Sequence, residues 1–316
     1  MEIFRSLEEA AAAGGRSVVT IGSFDGIHLA HQELLRRVRQ SAGKEGAAAV
    51  AITFHPHPMQ LLAPGKAPRL LTPLSVKLAL LEQSGLQRLL LLPFTEELSR
   101  WPPEKFVQEV LVRVLRAVKV VVGDNFRFGH RQAGSPELLR RTGAGSGFQT
   151  EVLSRIEVRG RTVSSSQVRG LLEEGNVSLA GRLLGRPFSV CNPVQEGLGI
   201  GRRETVPTLN LAPYGEMLPA TGVYVTRTRI GSRFFRSVTN VGRRPTFGER
   251  ELGVETHLLD TWEGLAPESM EVSFLHRLRA ERKFASPAEL KTQIRSDVHC
   301  ATTYFRRLER FCAATA

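Results

Sequence analysis

Apolar runs and amphipathic stretches alternate along the first 185 residues of the chain. The runs are short and rich in β-branched and aliphatic residues, which predicts buried strands at 17–21, 47–54, 88–92 and 117–122. Between the runs, apolar side chains recur at helical spacing. This predicts helices at 28–40, 73–84 and 103–116, and two more at 166–174 and 177–184. Strands separated by helices favour right-handed crossovers and a parallel sheet.

The pattern changes after Gly185-Arg186-Pro187. Short β-branched runs then follow one another, separated by Gly, Pro and Asn, at 222–230, 234–241, 254–259 and 270–278. Such runs are typical of antiparallel strands in a small barrel. Ser286, Pro287 and Glu289 predict the start of a last helix. We therefore predict two domains: a Rossmann-like α/β domain with a parallel sheet over 1–185, and an antiparallel β-barrel domain with a terminal helix over 186–316.

The composition supports two globular domains of ordinary size, since 41% of the 316 residues are hydrophobic and 23% are charged. No apolar run approaches the ~20 residues that span a bilayer, and residues 1–13 lack the features of a secretory signal. We therefore expect no membrane partner and a cytoplasmic location. Cys191, Cys300 and Cys312 form no Cys-x-x-Cys pair, which favours reduced thiols over a disulfide framework or a zinc site.

The formal net charge of +12 favours an anionic partner. Nucleic acid and phosphorylated small molecules both fit this charge, and a solvated basic surface with no partner fits it equally well. The basic residues form no separate arm and do not alternate with aromatic residues, as they do in many RNA-binding proteins. The charge alone therefore does not choose among these interpretations.

The segment Gly22-Ser23-Phe24-Asp25-Gly26-Ile27-His28-Leu29-Ala30-His31 joins the first predicted strand to the first predicted helix. Ligands of open α/β sheets bind at such strand ends, and a helix start offers unpaired N–H groups to phosphates. Gly22 and Gly26 allow close approach of the backbone. His28 and His31 are three residues apart and so lie on one helical face. Two imidazoles in this position can donate hydrogen bonds to phosphate oxygens, although helix capping or metal binding would also place two histidines there.

This segment resembles the HxGH motif of the nucleotidyltransferase superfamily, with Ala30 in place of the usual glycine. The sequence Phe-Asp-Gly-Ile-His is similar to the FAD synthetase module of bacterial bifunctional riboflavin kinases. Three further segments agree with that family in order: residues 53–58 (TFHPHP), 123–129 (GDNFRFG) and 164–169 (SSSQVR). The first domain is thereby identified as similar to a nucleotidyltransferase that joins ATP to FMN, with Mg²⁺ on the phosphates.

The resemblance and the strand-end positions together give a set of expected binding residues. Phe54, Phe126 and Phe128 are expected to contact a flat ring, and Asn125 to hold a ribose or adenine edge. Ser164, Ser165 and Arg169 are expected to bind phosphate at a second helix start, near Arg161. Core packing of the aromatic rings and ordinary helix capping by the serines are the alternatives. The complete nucleotide and flavin set in this domain is Gly22, Ser23, Phe24, Asp25, Phe54, His57, Asn125, Phe126, Arg161, Ser164, Ser165 and Arg169.

The second half resembles the riboflavin kinase module. Pro207-Thr208-Leu209-Asn210 keeps the Pro-Thr-x-Asn core of the family, so the resemblance implies that Thr208 and Asn210 bind Mg²⁺ and ATP phosphate. Thr205 and Leu209 replace a Gly and an Ala of the family, which makes a kinase domain of impaired activity an alternative. Further kinase residues implied by the resemblance are Gly201, Pro207, Asn240 and Arg279.

Glu255 occupies the position of the family's catalytic base, where a carboxylate can accept the proton of the riboflavin 5′-hydroxyl. An exposed strand carboxylate without a role is the ordinary alternative. The leading hypothesis is a bifunctional enzyme that phosphorylates riboflavin to FMN and adenylylates FMN to FAD. Riboflavin, FMN and ATP are then its partners, and nucleic acid is not, because nucleic-acid binding alone needs no such set of histidine and carboxylate side chains. The sequence leaves the oligomeric state open.

Overall fold

The computed structural model describes residues 1–195, 208–243, 252–263 and 267–315. It forms two compact units, Met1–Ser165 and Ser166–Ala316. The predicted boundary after residue 185 lies later in the chain, because two helices that precede that boundary group with the second unit. Where the two activities separate stays a prediction.

The first unit contains eight strands within its described residues. These are β1 (Glu2–Phe4), β2 (Ser17–Ile21), β3 (Ala48–His55), β4 (Arg88–Pro93), β5 (Ala117–Gly123), β6 (Gln149–Leu153), β7 (Glu157–Val158) and β8 (Arg161–Thr162). The helices are α1 (Leu7–Ala13), α2 (Leu29–Glu45), α3 (Pro58–Leu62), α4 (Leu74–Gln83), α5 (Glu96–Ser99), α6 (Pro103–Phe106) and α7 (Pro136–Ser146). A π-helix, Val107–Val114, follows α6 directly.

Six of these strands form one sheet in the order β1-β4-β3-β2-β5-β6. All five pairings are parallel, which confirms the predicted sheet. Alternate residues of each central strand enter two different core clusters, so that Val19 and Val120 pack on one face and Val18 and Val121 on the other. Burial on both faces explains why these strands are continuously apolar rather than alternating. The chain order reverses between β2 and β5, where open sheets bind their ligands.

The second unit begins with α8 (Ser165–Glu173) and α9 (Val177–Leu184) and continues with a barrel. The barrel strands are β9 (Phe188–Gln195), β10 (Leu209–Leu211), β11 (Gly222–Ile230), β12 (Arg233–Arg243), β13 (Leu252–Leu258) and β14 (Ser269–Arg279). They close in the order β10-β13-β12-β11-β14-β9 through antiparallel pairings. This confirms the predicted antiparallel barrel.

Helices α8 and α9 are bound to the barrel by backbone and side-chain hydrogen bonds. The Ala220 N–H donates to the Leu172 carbonyl at 2.8 Å, and the Ser178 hydroxyl donates to the Leu275 carbonyl at 2.7 Å. The Arg277 guanidinium donates to the Glu174 carbonyl at 3.3 Å. These contacts explain why both helices group with the barrel rather than with the parallel sheet.

The terminal helix α10 (Pro287–Thr315) packs on the outer face of the barrel. Its Ala301 and Phe305 join Val223, Val225 and Val238 in one buried cluster. The Ser286 hydroxyl accepts from the Glu289 N–H at 3.2 Å, as the sequence predicted. The Glu289 carboxylate accepts instead from the Ala285 N–H at 3.0 Å, one residue before the cap.

Candidate active sites

The first candidate site lies at the carboxyl ends of β3, β2 and β5, which are neighbours in the sheet. Gly22 follows β2, His57 follows β3 and Asn125 follows β5. Three of the four segments that carry the family resemblance in this domain therefore meet at one edge of the sheet. This edge is also the place where the chain order reverses, so that a ligand can enter between β2 and β5.

The two histidines lie side by side at the start of α2. His28 is the N-cap, and its Nδ1 accepts from the His31 N–H at 3.4 Å. The two rings stack with centroids 3.7 Å apart and planes 14° apart. A His28 ring that accepts at Nδ1 and is neutral carries its proton on Nε2. Nε2 is therefore the atom with which His28 can donate to a phosphate oxygen.

His31 stays neutral for physical reasons that the structure supplies. Its Nδ1 is buried without a hydrogen-bond partner. Burial, together with the nearby His28 and Lys77, lowers the pKa of His31 well below its ordinary value. A neutral imidazole has one N–H donor, and because Nδ1 is buried, Nε2 is the nitrogen from which His31 would donate to a ligand. The pair thus offers two uncharged hydrogen-bond donors at a helix N-terminus.

The loop before the histidines has an unusual backbone. Phe24 and Ile27 have φ of 48° and 40°, values that non-glycine residues rarely adopt, and Gly26 between them has φ of 81°. Phe24 is wholly buried, and its ring lies 5.1 Å from that of His31. The same ring lies against Gly22, where an added Cβ would meet it at 3.4 Å. The buried Phe24 ring therefore packs beneath the loop, against Gly22 and His31. The expected contact of Phe24 with a ligand stays a prediction.

Asp25 braces this loop from within. Its buried carboxylate accepts from the Leu71 N–H at 2.9 Å and the Thr72 N–H at 3.1 Å. The Thr72 hydroxyl in turn accepts from the Gly26 N–H at 3.1 Å. The Ser165 hydroxyl donates to the Asp25 carbonyl at 2.9 Å. Asp25 and Ser165 thus hold the backbone in place, and their predicted contacts with nucleotide or flavin stay predictions.

Of the three rings expected to contact a ligand, Phe54 and Phe126 are half-buried, whereas Phe128 is buried in the core. Phe54 meets Phe94 edge to face at 5.6 Å, and Phe126 stacks on Phe128 at 5.4 Å. Both also pack against the core cluster on one face of the sheet. Phe54 and Phe126 keep part of their surface exposed at the site's edge of the sheet, which is what contact with a flat ligand requires.

The remaining predicted residues of this domain differ in exposure. Asn125 and Arg161 are exposed, and Ser164 is half-buried. His57 caps α3, because its Nδ1 accepts from the Met59 N–H at 3.2 Å. Arg169 belongs to the second compact unit. Lys77 and Thr72 were not predicted as part of the site, although their polar atoms contact the loop.

The second candidate site is a row of side chains across the middle of the barrel. Strand pairing places Asn210 opposite Glu255 and Glu255 opposite Asn240. The row continues through Val223 to Arg279 on β14. Residues paired across neighbouring strands point to the same face of a sheet. Four predicted kinase residues, from four different strands, therefore share one face.

That face is the outside of the barrel. The intervening residues form a buried network of hydroxyl groups in the interior, in which Thr239 bonds Thr226 at 2.7 Å and Thr256 at 2.9 Å. Because side chains alternate along a strand, the burial of Thr256 directs Glu255 outward. Glu255 is accordingly exposed, and its role as a base stays a prediction.

Arg279 is engaged with the terminal helix. Its guanidinium forms a salt bridge to the buried carboxylate of Asp297 at 2.8 Å. The Gln293 amide donates to the same carboxylate at 2.8 Å. Arg279 therefore joins α10 to the barrel beside the row, and its predicted contact with ATP or flavin stays a prediction.

Part of the predicted kinase site lies outside the described residues, namely Gly201, Thr205 and Pro207. Thr208 is exposed and Asn210 half-buried. Leu209 pairs with Thr256 in a regular ladder. The residue that replaces the family's Ala is thus accommodated in the strand.

The donor set of this site suits Mg²⁺. A hydroxyl at Thr208, an amide oxygen at Asn210 and the neighbouring carboxylate of Glu255 are oxygen ligands of the kind that this ion prefers. The described residues contain no group of three or more His, Cys, Asp or Glu side chains that could hold a metal.

Comparison with known proteins gives one consistent family. The FAD synthetase model matches residues 11–167, and the riboflavin kinase model matches residues 184–305. A bifunctional riboflavin kinase/FMN adenylyltransferase of Pseudomonas fluorescens is 36% identical over 302 residues, 95% of this chain and 97% of the relative. The protein of the same name from Escherichia coli K12 is 33% identical over 307 residues, 96% of this chain and 98% of the relative.

A solved structure is similar over almost the full length. A protein of Streptococcus pneumoniae, described as a macrolide-efflux protein, is 28% identical with a TM-score of 0.86, covering 95% of this chain and 98% of its own. Within the part of the chain that the structure describes, no helix is long and apolar enough to cross a membrane. The two family models and the curated relatives name the same two activities. The chain belongs to the family of bifunctional riboflavin kinase/FMN adenylyltransferases.

Proposed function

We propose that this protein phosphorylates riboflavin to FMN on its barrel and adenylylates FMN to FAD on its parallel-sheet unit. The observation that carries the proposal is the presence of a separate set of polar side chains suited to each reaction, one set in each unit. The stacked neutral pair His28 and His31 lies at a helix start, and Glu255 lies beside Asn210 in one row. We further propose that the protein acts in the cytoplasm and needs no nucleic acid.

Adenylyl transfer needs positioning and charge stabilisation rather than a protein nucleophile. A phosphate oxygen of FMN attacks the α-phosphorus of ATP, the bond from that phosphorus to the bridging oxygen breaks, and pyrophosphate leaves. His28 and His31 donate from Nε2 to phosphate oxygens on which charge develops. The free N–H groups at the start of α2 add donors of fixed direction. Phe54 and Phe126 offer surface to a flat ring.

Phosphoryl transfer on the barrel needs a base. The riboflavin 5′-hydroxyl oxygen attacks the γ-phosphorus of ATP, its proton passes to the Glu255 carboxylate, and ADP leaves. Thr208 and Asn210 would hold Mg²⁺ on the ATP phosphates, where the ion neutralises negative charge. Asn240, next to Glu255 in the row, is suited to orient the hydroxyl or the carboxylate by hydrogen bonding.

A kinase of impaired activity is the alternative that the sequence raised. The regular pairing of Leu209 gives no support to distortion at that position. One experiment decides between the two: the protein is incubated with riboflavin, ATP and Mg²⁺, and the flavins are separated by chromatography. We expect FMN to appear first and FAD to follow. Conversion of added FMN to FAD without any formation of FMN from riboflavin would support the impaired kinase. The absence of both FMN and FAD would overturn the proposal.

A further inference from the structure

Lys77 occupies a position where a leucine would be expected. It lies in the first half of α4, four residues before the fully buried Leu81, and only 4% of Lys77 is exposed. Residues four apart share one face of a helix, so this is the core face of α4. Lysine is almost never buried to this extent unless its ammonium group has polar partners.

The partner of the Lys77 ammonium is in the histidine loop. Nζ donates to the Ser23 carbonyl at 2.8 Å, and the Thr53 hydroxyl donates to the same carbonyl at 3.2 Å. The next residue along the chain is Phe24, with its positive φ and its ring 5.1 Å from His31. Lys77 therefore fixes the peptide from which this supporting ring projects.

Lys77 also acts on His31 directly. His28 and Lys77 are the charged or titratable groups whose electrostatic effect on His31 adds to that of burial. A fixed positive charge near an imidazole disfavours a second positive charge on the ring. Geometry and charge thus point to the same residue pair.

We propose that Lys77 is a positioning residue for adenylyl transfer, which orients the histidine loop, and with it the His31 ring, through the Ser23 carbonyl. This inference rests on the proposed role of the histidine pair. Lys77 does not itself need to touch the substrates. Its effect is on the orientation and protonation of His31, and so on the turnover step rather than on substrate affinity.

The test compares Lys77→Met, which keeps the aliphatic stem, with Lys77→Arg, which keeps a positive charge. Lys119→Met serves as a matched control, because Lys119 is also largely buried but pairs with Glu151 on the neighbouring strand β6. For Lys77→Met we expect kcat for FAD formation to fall ~10–10²-fold, somewhat less than for loss of a direct donor. KM for FMN and ATP should change little, and FMN formation from riboflavin should be kept.

The pH dependence of kcat for FAD formation distinguishes a positioning role of Lys77 from a purely structural one. Without the ammonium, the pKa of His31 rises toward its ordinary value, so that the ring becomes protonated at higher pH. The acidic limb of kcat for FAD formation should therefore move to higher pH in Lys77→Met and return toward the wild-type position in Lys77→Arg. An unchanged kcat, or a lower kcat with an unmoved limb in Lys77→Met, would overturn the proposal.

A titration of His31 by nuclear magnetic resonance in the wild-type protein and in Lys77→Met measures the effect of Lys77 on the ring directly. We expect the wild-type ring to stay neutral to lower pH than the ring in Lys77→Met, and equal titration in both proteins would overturn the proposal. His31→Ala separates this inference from the function on which it rests. FAD synthesis at the wild-type rate in His31→Ala would remove the proposed role of the histidine pair. Slow FAD synthesis in His31→Ala, together with the wild-type rate in Lys77→Met, would remove only the role of Lys77.

Discussion

The two units build their sites in opposite ways. In the parallel-sheet unit the site is a loop at strand ends, with Phe24 and Ile27 at positive φ and with Asp25 and Lys77 bracing it from within. In the barrel the site is a row on regular strands, where pairing alone brings Asn210 to Glu255. The geometry of a loop site is not fixed by strand pairing, so it depends on residues elsewhere in the chain that hold the loop. The geometry of the row is set by the pairing of the strands.

The difference predicts how each site responds to change. The loop has strained backbone that persists only where surrounding contacts hold it. Substitutions outside the site, as at Thr72, should therefore disturb adenylyl transfer. The barrel row has no strained residue among its described members, so its function should depend on the row side chains themselves.

The largest expected effect comes from separating the two units. A fragment ending at residue 185 should lose FMN formation completely and keep FAD formation from added FMN. The fragment keeps the histidine loop and α8, whereas a fragment ending at residue 165 loses Arg169 and should be far less active. Chromatography of the flavins checks both. A folded fragment of 185 residues that binds neither ATP nor FMN would show that the loop site depends on the barrel, and would break the comparison.

Glu255→Gln tests the row. The amide keeps the shape of the side chain and removes the base, so FMN formation should slow by roughly 10²–10⁴-fold with riboflavin binding largely kept. FAD formation from FMN should not change. Glu271→Gln is the matched control, because Glu271 is a barrel-strand carboxylate that pairs with Arg229 away from the row. Unchanged FMN formation in Glu255→Gln would keep the kinase assignment but show that a residue other than Glu255 is the base.

His28→Ala and His31→Ala test the loop. Each removes a preorganised donor, and FAD formation should fall by ~10²-fold or more. FMN formation from riboflavin should survive in the same chain, which also serves as the folding control. His299→Ala, an exposed position on α10, should leave both activities intact. Near wild-type FAD synthesis in a folded double variant would refute the assignment.

The smallest effect concerns the barrel framework at Tyr224. Its buried hydroxyl donates to the Ala220 carbonyl, and burial raises the pKa of Tyr224 to about 12. Tyr224→Phe should lower the free energy of unfolding of the barrel by ~1 kcal/mol, which hydrogen exchange of the β11 amides measures against that of the β2 amides. Equal loss of protection in both strands would show that the two units do not unfold separately.

The raised pKa also gives Tyr224 a pH dependence of known sign. Burial favours the neutral form of Tyr224 in the folded state. Its contribution to the free energy of unfolding is therefore complete below about pH 10, the pKa of a tyrosine in the unfolded chain. It is lost as the pH rises through about 12, the folded value. Tyrosinate absorbance of the wild type, compared with that of Tyr224→Phe, locates this titration.

Local patterns predicted the strands at the centre of each unit. The run at 17–21 contains Val18, Val19 and Ile21, and the structure buries all five residues of β2. The edge strand β1 was missed, because Glu2–Phe4 is short and only half-buried and so has no distinct pattern. The groups that touch each other in the barrel row were also predictable, since each lies in a recognisable segment of a strand.

The bracing of the loop could not be predicted from the sequence. Lys77 follows Ser23 by 54 positions, and a lysine in an amphipathic helix ordinarily belongs to the solvated face. Leu78 and Leu81 both pack against the core, and the structure buries Lys77 beside them. The burial of Lys77 can be recognised only from the structure, which shows that its ammonium group bonds the Ser23 carbonyl. The same holds for α8 and α9, whose pattern shows that they are amphipathic but not which unit they cover.

The alternation of faces along β13 makes the predicted kinase site sensitive to the length of this strand as well as to the identity of its side chains. Removing one residue between Gly253 and Glu255 would turn the Glu255 side chain toward the barrel interior and bring Thr256 outward. A deletion of two residues would restore the facing but shift Glu255 away from Asn210 by one step of the ladder. Libraries of this chain should therefore show single-residue deletions in this strand to be more harmful than most substitutions there.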